Sequence, residues 1–377
     1  MSGQTSDPED LSPVPVPVPV PSPASGGGED GEGGEGGTRL ASLSASRAWR
    51  DGQVVDTDVV PEEIPALVAD PDTLVWIDLL EPSTADLHRV VGSLGLPPTA
   101  VEDVLGRFER PKIVHHDRWT YVTTSAMRLD ADAPGPDGGT ARDLVRMRVS
   151  AIATASALVT IRLDPRWDMD EVVRRWEEDP DLIGRGVPAL LHGLLDAVVD
   201  GHFDVLQDLD DRAEDLEDEL LGDTPAGDSF IRELYALRKH LVRVRRVVVP
   251  MRDVVSGIER RPTSGAAGTL SQEMAPWWGD LYDHVLRASE WADSLRDMIA
   301  FMVETQMSLM DWRLNIVMKK LAGWAAIIAV PTLITGWYGQ NVAFPGNGTW
   351  GGLAVSTALL LISSVTLYVV FRRRDWL

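Results

Sequence analysis

The sequence predicts an α+β domain built on a mixed sheet with helices, followed by a long stalk helix and a two-helix transmembrane hairpin. Three observations carry this prediction. Two apolar runs close the chain, 321–339 (LAGWAAIIAVPTLITGWYG) and 352–371, each without a charged residue and long enough to cross a bilayer as a helix. The first half alternates short apolar strands with short helices, punctuated by Gly, Pro and Asp. From about 166 onward the pattern is helical, and between Pro276 and Tyr338 the only break candidate is Pro331. At about 1.5 Å per residue that stretch reaches roughly 90 Å, more than a single globular domain requires. It reads as a stalk that leaves the soluble domain and continues through the membrane.

Bulk properties narrow the function. A chain of 377 residues holds one large domain or two smaller ones plus a membrane part, and 44% hydrophobic residues permit a sizeable core. The net charge of −23, from 58 Asp+Glu against 35 Lys+Arg, argues against a nucleic-acid partner, which needs a basic face. It suits a protein that handles cations, and equally an ordinary acidic protein. With no cysteine there is no disulfide framework and no thiolate metal site. No basic-then-apolar signal peptide opens the chain, so the soluble part is expected not to be secreted. The chain has no His-Glu-x-x-His, P-loop or credible nucleophile triad, and it is not expected to be an enzyme.

Residues 1–40 read as a disordered tail, with PVPVPVPVPSP sampling polyproline II and GGGEDGEGGEGG a flexible acidic tract. Its glycines are not a phosphate loop, because no strand precedes them and no Gly-Lys-Ser/Thr follows. Ordered structure is expected to begin between 40 and 60. Thr73–Leu79 is a compact apolar strand. Ser83 or Thr84 caps a helix carrying Leu87, Val90, Val91 and Leu94, which Gly95-Leu96-Pro97-Pro98 ends. A short helix from Thr99 carries Val101, Val104 and Leu105. Strands are expected at Lys112–His116, Trp119–Arg128, Leu144–Ala153 and Ser156–Arg162, with a hairpin loop at 131–140. A short helix spans 168–179. Two long helices, 187–220 with an acidic far end and 228–260 with the basic segment LRKHLVRVRR, form an antiparallel hairpin. Two readings of its charges are open, complementary faces or two solvated ones.

Lys319 and Lys320 precede the first apolar run and Arg372, Arg373 and Arg374 follow the second, while the loop 340–351 has no Lys or Arg. Both termini are therefore expected in the cytoplasm. The expected divisions are the tail 1–40, a cytoplasmic domain 41–275, a stalk 276–320, a first span 321–339, an external loop 340–351, a second span 352–371 and a basic tail 372–377.

Read at a period near 3.5, Glu304, Asp311, Asn315, Met318, Ala322, Ala325, Ala329, Thr332 and Gly336 fall on one stripe, polar below the membrane and small within it. One hairpin cannot enclose a pore, so conduction requires several copies. A ring with this stripe inward is a narrow, mostly uncharged channel with acidic rings at its inner mouth. A coiled-coil packing seam is the other reading. Asn341, at the outer end, would present amide oxygens toward an axis, which suits a hydrated hard divalent cation, and Gly339 would permit the turn that aims it.

These residues resemble the CorA-type divalent metal-ion (magnesium/cobalt) transporter superfamily, which also contains the zinc-transporting ZntB branch. The resemblance rests on Trp76-Ile77-Asp78-Leu79 with Pro82, on Leu96-Pro97-Pro98 with 101–105 and Arg110-Pro111-Lys112, and on Gly279 to His284. It continues through Pro331 to Asn341 and the basic tail ending Trp376-Leu377, and covers about 70 to 377. It implies a funnel-shaped homopentamer in a bacterial-type plasma (inner) membrane, with the first span lining the pore and the second packed outside it. It also implies roles. Gly339, Gln340 and Asn341 would form the outer selectivity filter. Glu304, Asp311, Asn315, Met318, Leu321 and Thr332 would line the pore and gate. Glu102, Asp103, Asp280 and His284 would bind regulatory divalent ions between neighbouring subunits; helix capping or ion pairing is the other reading of these four. High internal Mg²⁺ would then hold the channel closed. The family's usual Gly-Met-Asn is here Gly339-Gln340-Asn341, and the loop 342–351 lacks Asp and Glu. Mg²⁺ is the expected ion, transported and regulatory, with Co²⁺ or Ni²⁺ also carried. Zn²⁺ transport of the ZntB-like kind and a non-conducting membrane-anchored metal sensor are the alternatives.

Overall fold

Alternating apolar residues build the first element of the architecture, a seven-stranded mixed sheet. In chain order its strands are β1 (Leu43–Arg50), β2 (Gln53–Asp56), β3 (Thr73–Leu80), β4 (Lys112–His115), β5 (Thr120–Asp130), β6 (Asp143–Ala153) and β7 (Ala157–Arg162), in the spatial order β2-β1-β3-β7-β6-β5-β4. The β3–β7 pair is parallel and the other pairs are antiparallel. β3 and β7 sit mid-sheet and are buried on both faces, which is why they read as unbroken apolar runs. This computed structural model describes residues 40–106, 110–130, 143–222, 227–259, 272–340, 343 and 345–376, all within the unit Arg39–Leu377. The Pro/Gly-rich tail, the loop 131–140, most of the Gly/Ser-rich break before the stalk, and Asn341 lie outside the described residues.

Side-chain alternation sorts the core into two layers. On one face, Val75, Ile77 and Leu79 of β3 pack with three short helices, α1 (Ile64–Ala69), α2 (Thr84–Ser93) and α3 (Thr99–Leu105). The α2 cap is the expected Ser83, which accepts from the Asp86 N–H at 3.1 Å while the Asp86 carboxylate accepts from the Ser83 N–H. On the other face, Leu74, Trp76 and Leu158 pack with α4 (Asp170–Glu178), α6 (Val187–Leu221), α7 (Asp228–Glu259) and the start of α8 (Ala275–Tyr338); α5 (Pro180–Ile183) is a single turn that leads into α6. The β1–β2 hairpin, α1 and α5 carry no sequence expectation and are additions.

α6 and α7 run antiparallel, since Leu190–Val199 share a core with Met251–Ile258 and Leu206–Leu220 share one with Phe230–Leu241. The seam between them is apolar. The basic segment of α7 sends Arg243 to Asp143 on β6 (3.1 Å) and Arg245 to Asp293 on α8 (2.6 Å). α8 lies along the hairpin, parallel to α6. Its buried residues Trp278, Leu281, Val285, Ala288, Ala292, Leu295, Ile299 and Met302 recur at alternating steps of three and four, the spacing of a coiled-coil seam. α8 continues unbroken through Pro331 for 64 residues, and after a short loop α9 (Trp350–Arg373) returns along it. Thr349 caps α9 by accepting from the Gly352 N–H at 3.2 Å. Both α8 and α9 contain stretches long and apolar enough to cross a membrane.

Candidate functional site

The upper part of α8 divides into two faces. Gly323 is buried, and Ile327, Val330, Ile334 and Tyr338 are half-buried where α9 packs against them. At about 100° per residue, the stripe Asp311, Asn315, Met318, Ala322, Ala325, Ala329, Thr332 and Gly336 falls on the opposite side of the helix, and all of these residues are exposed. Glu304 continues the stripe downward and is also exposed, diametrically away from the buried Met302. Leu321 flanks it and is 70% exposed. The small residues leave a concave, open groove of about 580 Å³ bordered by Ala329, Thr332, Leu333, Gly336, Trp337 and Gln340. Within it, the Thr332 hydroxyl donates to the Ile328 carbonyl at 2.8 Å, which leaves its oxygen lone pairs as acceptors toward the groove.

Gly339 caps α8 at φ −84°, ψ −2°. The conformation is right-handed, and a Cβ at this position would meet the Thr335 carbonyl oxygen at 3.0 Å. Gln340 follows, exposed, with its N–H bonded to the Trp337 carbonyl at 3.4 Å. Asn341 belongs to the residues not described.

The four candidates in the α/β domain and at the start of α8 fall into two pairs. Glu102 and Asp103 are adjacent on α3. His116 Nε2–H donates to Asp103 Oδ2 at 3.2 Å, and the His116 ring stacks on Trp119 at 3.8 Å. Asp280 and His284 lie one turn apart on α8, with His284 Nε2 3.7 Å from Asp280 Oδ2. The pairs do not meet within one chain. Val101 and Val104 anchor α3 in the core on one face of the sheet, while Leu281 and Val285 anchor α8 in the core on the other.

The fold adds two carboxylates to the second pair. Asp196 and Asp200, one turn apart on α6, point toward α8. His284 Nδ1 is buried, makes no hydrogen bond, and stands 4.0 Å from Asp196 Oδ1. Ligand-type atoms of Asp196, Asp200 and His284 all lie within 4.8 Å of one another. Burial, and secondarily the neighbouring Asp200 charge, raises the Asp196 carboxyl above its ordinary value. Arg175 of α4 offsets part of that charge, at 2.6 Å from Asp200 and 3.5 Å from Asp196. The signal for this pair was present in the sequence, because His192, Asp196 and Asp200 recur every fourth residue within the mostly apolar first half of α6. A carboxylate–imidazole set of this kind suits a divalent cation without thiolates.

An α/β domain, a 64-residue helix whose end is long and apolar enough to cross a membrane, and a second such helix define the architecture of a membrane protein with two candidate spans. The family profile described as "CorA-like Mg2+ transporter protein" matches residues 71–373, and the chain belongs to that family. The family is one of ion transporters, not enzymes. The cobalt/magnesium transport protein CorA of Thermotoga maritima is 26% identical over 311 residues, 82% of this chain and 85% of that protein. The complete structure of the CorA magnesium transporter from Methanocaldococcus jannaschii is similar in fold (TM-score 0.64, 23% identity, 81% of this chain and 92% of that one). So is the structure of the full-length CmaX protein (TM-score 0.67, 20% identity, 89% and 98%).

Proposed function

We propose that this chain conducts divalent cations across the plasma membrane through a pore formed by five copies, with Mg²⁺ as the main cargo and Co²⁺ or Ni²⁺ also accepted. The observation that carries this reading is the division of α8. α9 covers one face, and the opposite face, made largely of small and polar residues, is exposed among the described residues. A simple membrane anchor has no use for Asn315 and Thr332 on one exposed stripe. With that face inward, Asn315, Met318 and Leu321 form the inner constriction, Thr332 lines the middle, and Gly339, Gln340 and Asn341 form the outer ring. Amide and hydroxyl oxygens can hold Mg²⁺ through its waters, which it sheds reluctantly. Glu304 and Asp311 concentrate cations at the inner mouth. Both termini are cytoplasmic, placing Arg372–Arg374 on the inner surface.

Regulation is assigned to Glu102 and Asp103 of one copy facing Asp280 and His284 of the next. Their separation onto opposite faces of the sheet supports a site that forms only between copies. Carboxylates brought together there repel until a cation bridges them, so internal Mg²⁺ favours the closed ring.

The test is uptake by proteoliposomes loaded with a Mg²⁺ dye. Asn341→Ala is expected to abolish most of the uptake or its preference among Mg²⁺, Co²⁺ and Zn²⁺. Unchanged uptake and preference in that variant would remove the pore assignment, and Zn²⁺ outcompeting Mg²⁺ in the wild type would replace Mg²⁺ as cargo.

A further inference from the structure

We infer that Arg148 is a positioning residue for the acidic pair Glu102–Asp103 and sets the Mg²⁺ affinity of the regulatory site, an inference that rests on the regulatory reading above. α3 has seven residues and no side-chain hydrogen bond at its N-cap, so it has little stability of its own. Its depth is fixed by Ala100, Val101 and Val104, which are buried against the sheet. Apolar contacts set depth but leave rotation loosely defined. Arg148, on β6, supplies the directional contact.

The Arg148 guanidinium donates from Nη2 to the Val104 carbonyl at 2.7 Å and from Nη1 to the Gly106 carbonyl at 3.1 Å. These carbonyls lie at the C-terminal end of α3, where backbone acceptors lack helical partners and a cation is favoured. The turn being held is the one that carries the acids, since the Gly106 N–H donates to the Glu102 carbonyl at 2.9 Å. Arg148 is itself held. Nη2 also donates to the Tyr121 hydroxyl (2.8 Å) and Nε to Ser150 Oγ (3.3 Å), while Ser150 bonds Thr123 (2.9 Å) across the β5–β6 ladder. A bidentate, planar donor anchored to two strand side chains, Tyr121 and Ser150, fixes the angle at which Glu102 and Asp103 leave the sheet.

The experiment uses full-length protein in detergent. It measures the MgCl₂ concentration that half-protects the chain from limited proteolysis, and the thermal midpoint without Mg²⁺. Arg148→Met is expected to raise the half-protecting concentration on the order of tenfold, the usual effect of losing a group that orients a ligand. Arg148→Lys is expected to recover part of this. Tyr121→Phe, which keeps the ring and loses only the anchor, is expected to shift it in the same direction by less, and it decides the matter should Arg148→Met not fold. A lowered thermal midpoint with an unmoved Mg²⁺ concentration would reduce Arg148 to a structural role and overturn the inference. So would protection that Asp103→Asn abolishes but the Arg148 and Tyr121 variants leave unmoved. Wild-type protein with no Mg²⁺-dependent protection would overturn the regulatory reading itself, and the inference with it.

Discussion

Asp78 and Arg162 face each other across the parallel β3–β7 pair in the middle of the sheet, with both side chains almost wholly removed from solvent. Arg162 Nε donates to Asp78 Oδ2 at 3.0 Å, and the Thr160 hydroxyl donates to Asp78 Oδ1 at 2.6 Å. Arg162 also reaches Ser44 Oγ at 3.0 Å and the Trp167 carbonyl at 2.5 Å, tying β1 and the strand-to-helix loop to the pair. Such a pair is tolerated because both carboxylate oxygens and all three guanidinium nitrogens are engaged, and it is fragile for the same reason. Arg162→Met is expected to destabilise the α/β domain by roughly 3–5 kcal/mol, since it strands a buried carboxylate, whereas Asp78→Leu with Arg162→Met recovers most of the loss. Denaturant melts of the three proteins check this. A single variant no less stable than the double would contradict it.

At the scale of elements, α6 is clamped to β5 through His202, which is buried and makes its Nε2 bond to the Ser125 carbonyl at 2.8 Å. Burial lowers the His202 pKa to about 4. The unfolded chain takes a proton near the ordinary value of about 6.5 while the folded chain does not, so stability is intact above that range and falls as pH drops toward 4. Between pH 7 and 4.5 the wild type is expected to lose roughly 2–3 kcal/mol more than His202→Gln, whose amide keeps a donor without titrating. Equal losses in paired denaturation curves would refute the assignment. This clamp was not legible in the sequence, where His202 is one of many polar residues along α6 and nothing marks it as facing the sheet. The helices themselves were legible, because their three- and four-residue spacing is dictated by the face each one buries. The β1–β2 hairpin was overlooked despite its Asp51-Gly52 turn, in which both residues have positive φ (49° and 73°). The α8 stripe was legible as a period. What the period could not supply is which side of the helix α9 covers, and that decides whether the stripe is free.

At the scale of the whole molecule, the placement of Glu102–Asp103 and Asp280–His284 on opposite faces of one sheet has a consequence for assembly. On the proposed regulatory reading a residue on α3 meets α8 of another copy, and repetition of that contact in one sense around an axis would close a ring. The chain contains no cysteine, so engineered thiols report this without background. Asp103→Cys combined with Asp280→Cys in one chain, treated with a short bifunctional thiol reagent in native membranes, is expected to give a ladder of covalent oligomers ending at five copies. The single variants are expected to stay monomeric on a denaturing gel, or to give dimers at most where two equivalent thiols meet. Added Mg²⁺ is expected to increase the ladder by favouring the closed ring. A double variant that links only within the monomer would mean that α3 and α8 approach one another inside the chain, against the layering of the two cores. A ladder ending at two or three copies would retain the intersubunit contact while removing the five-fold pore.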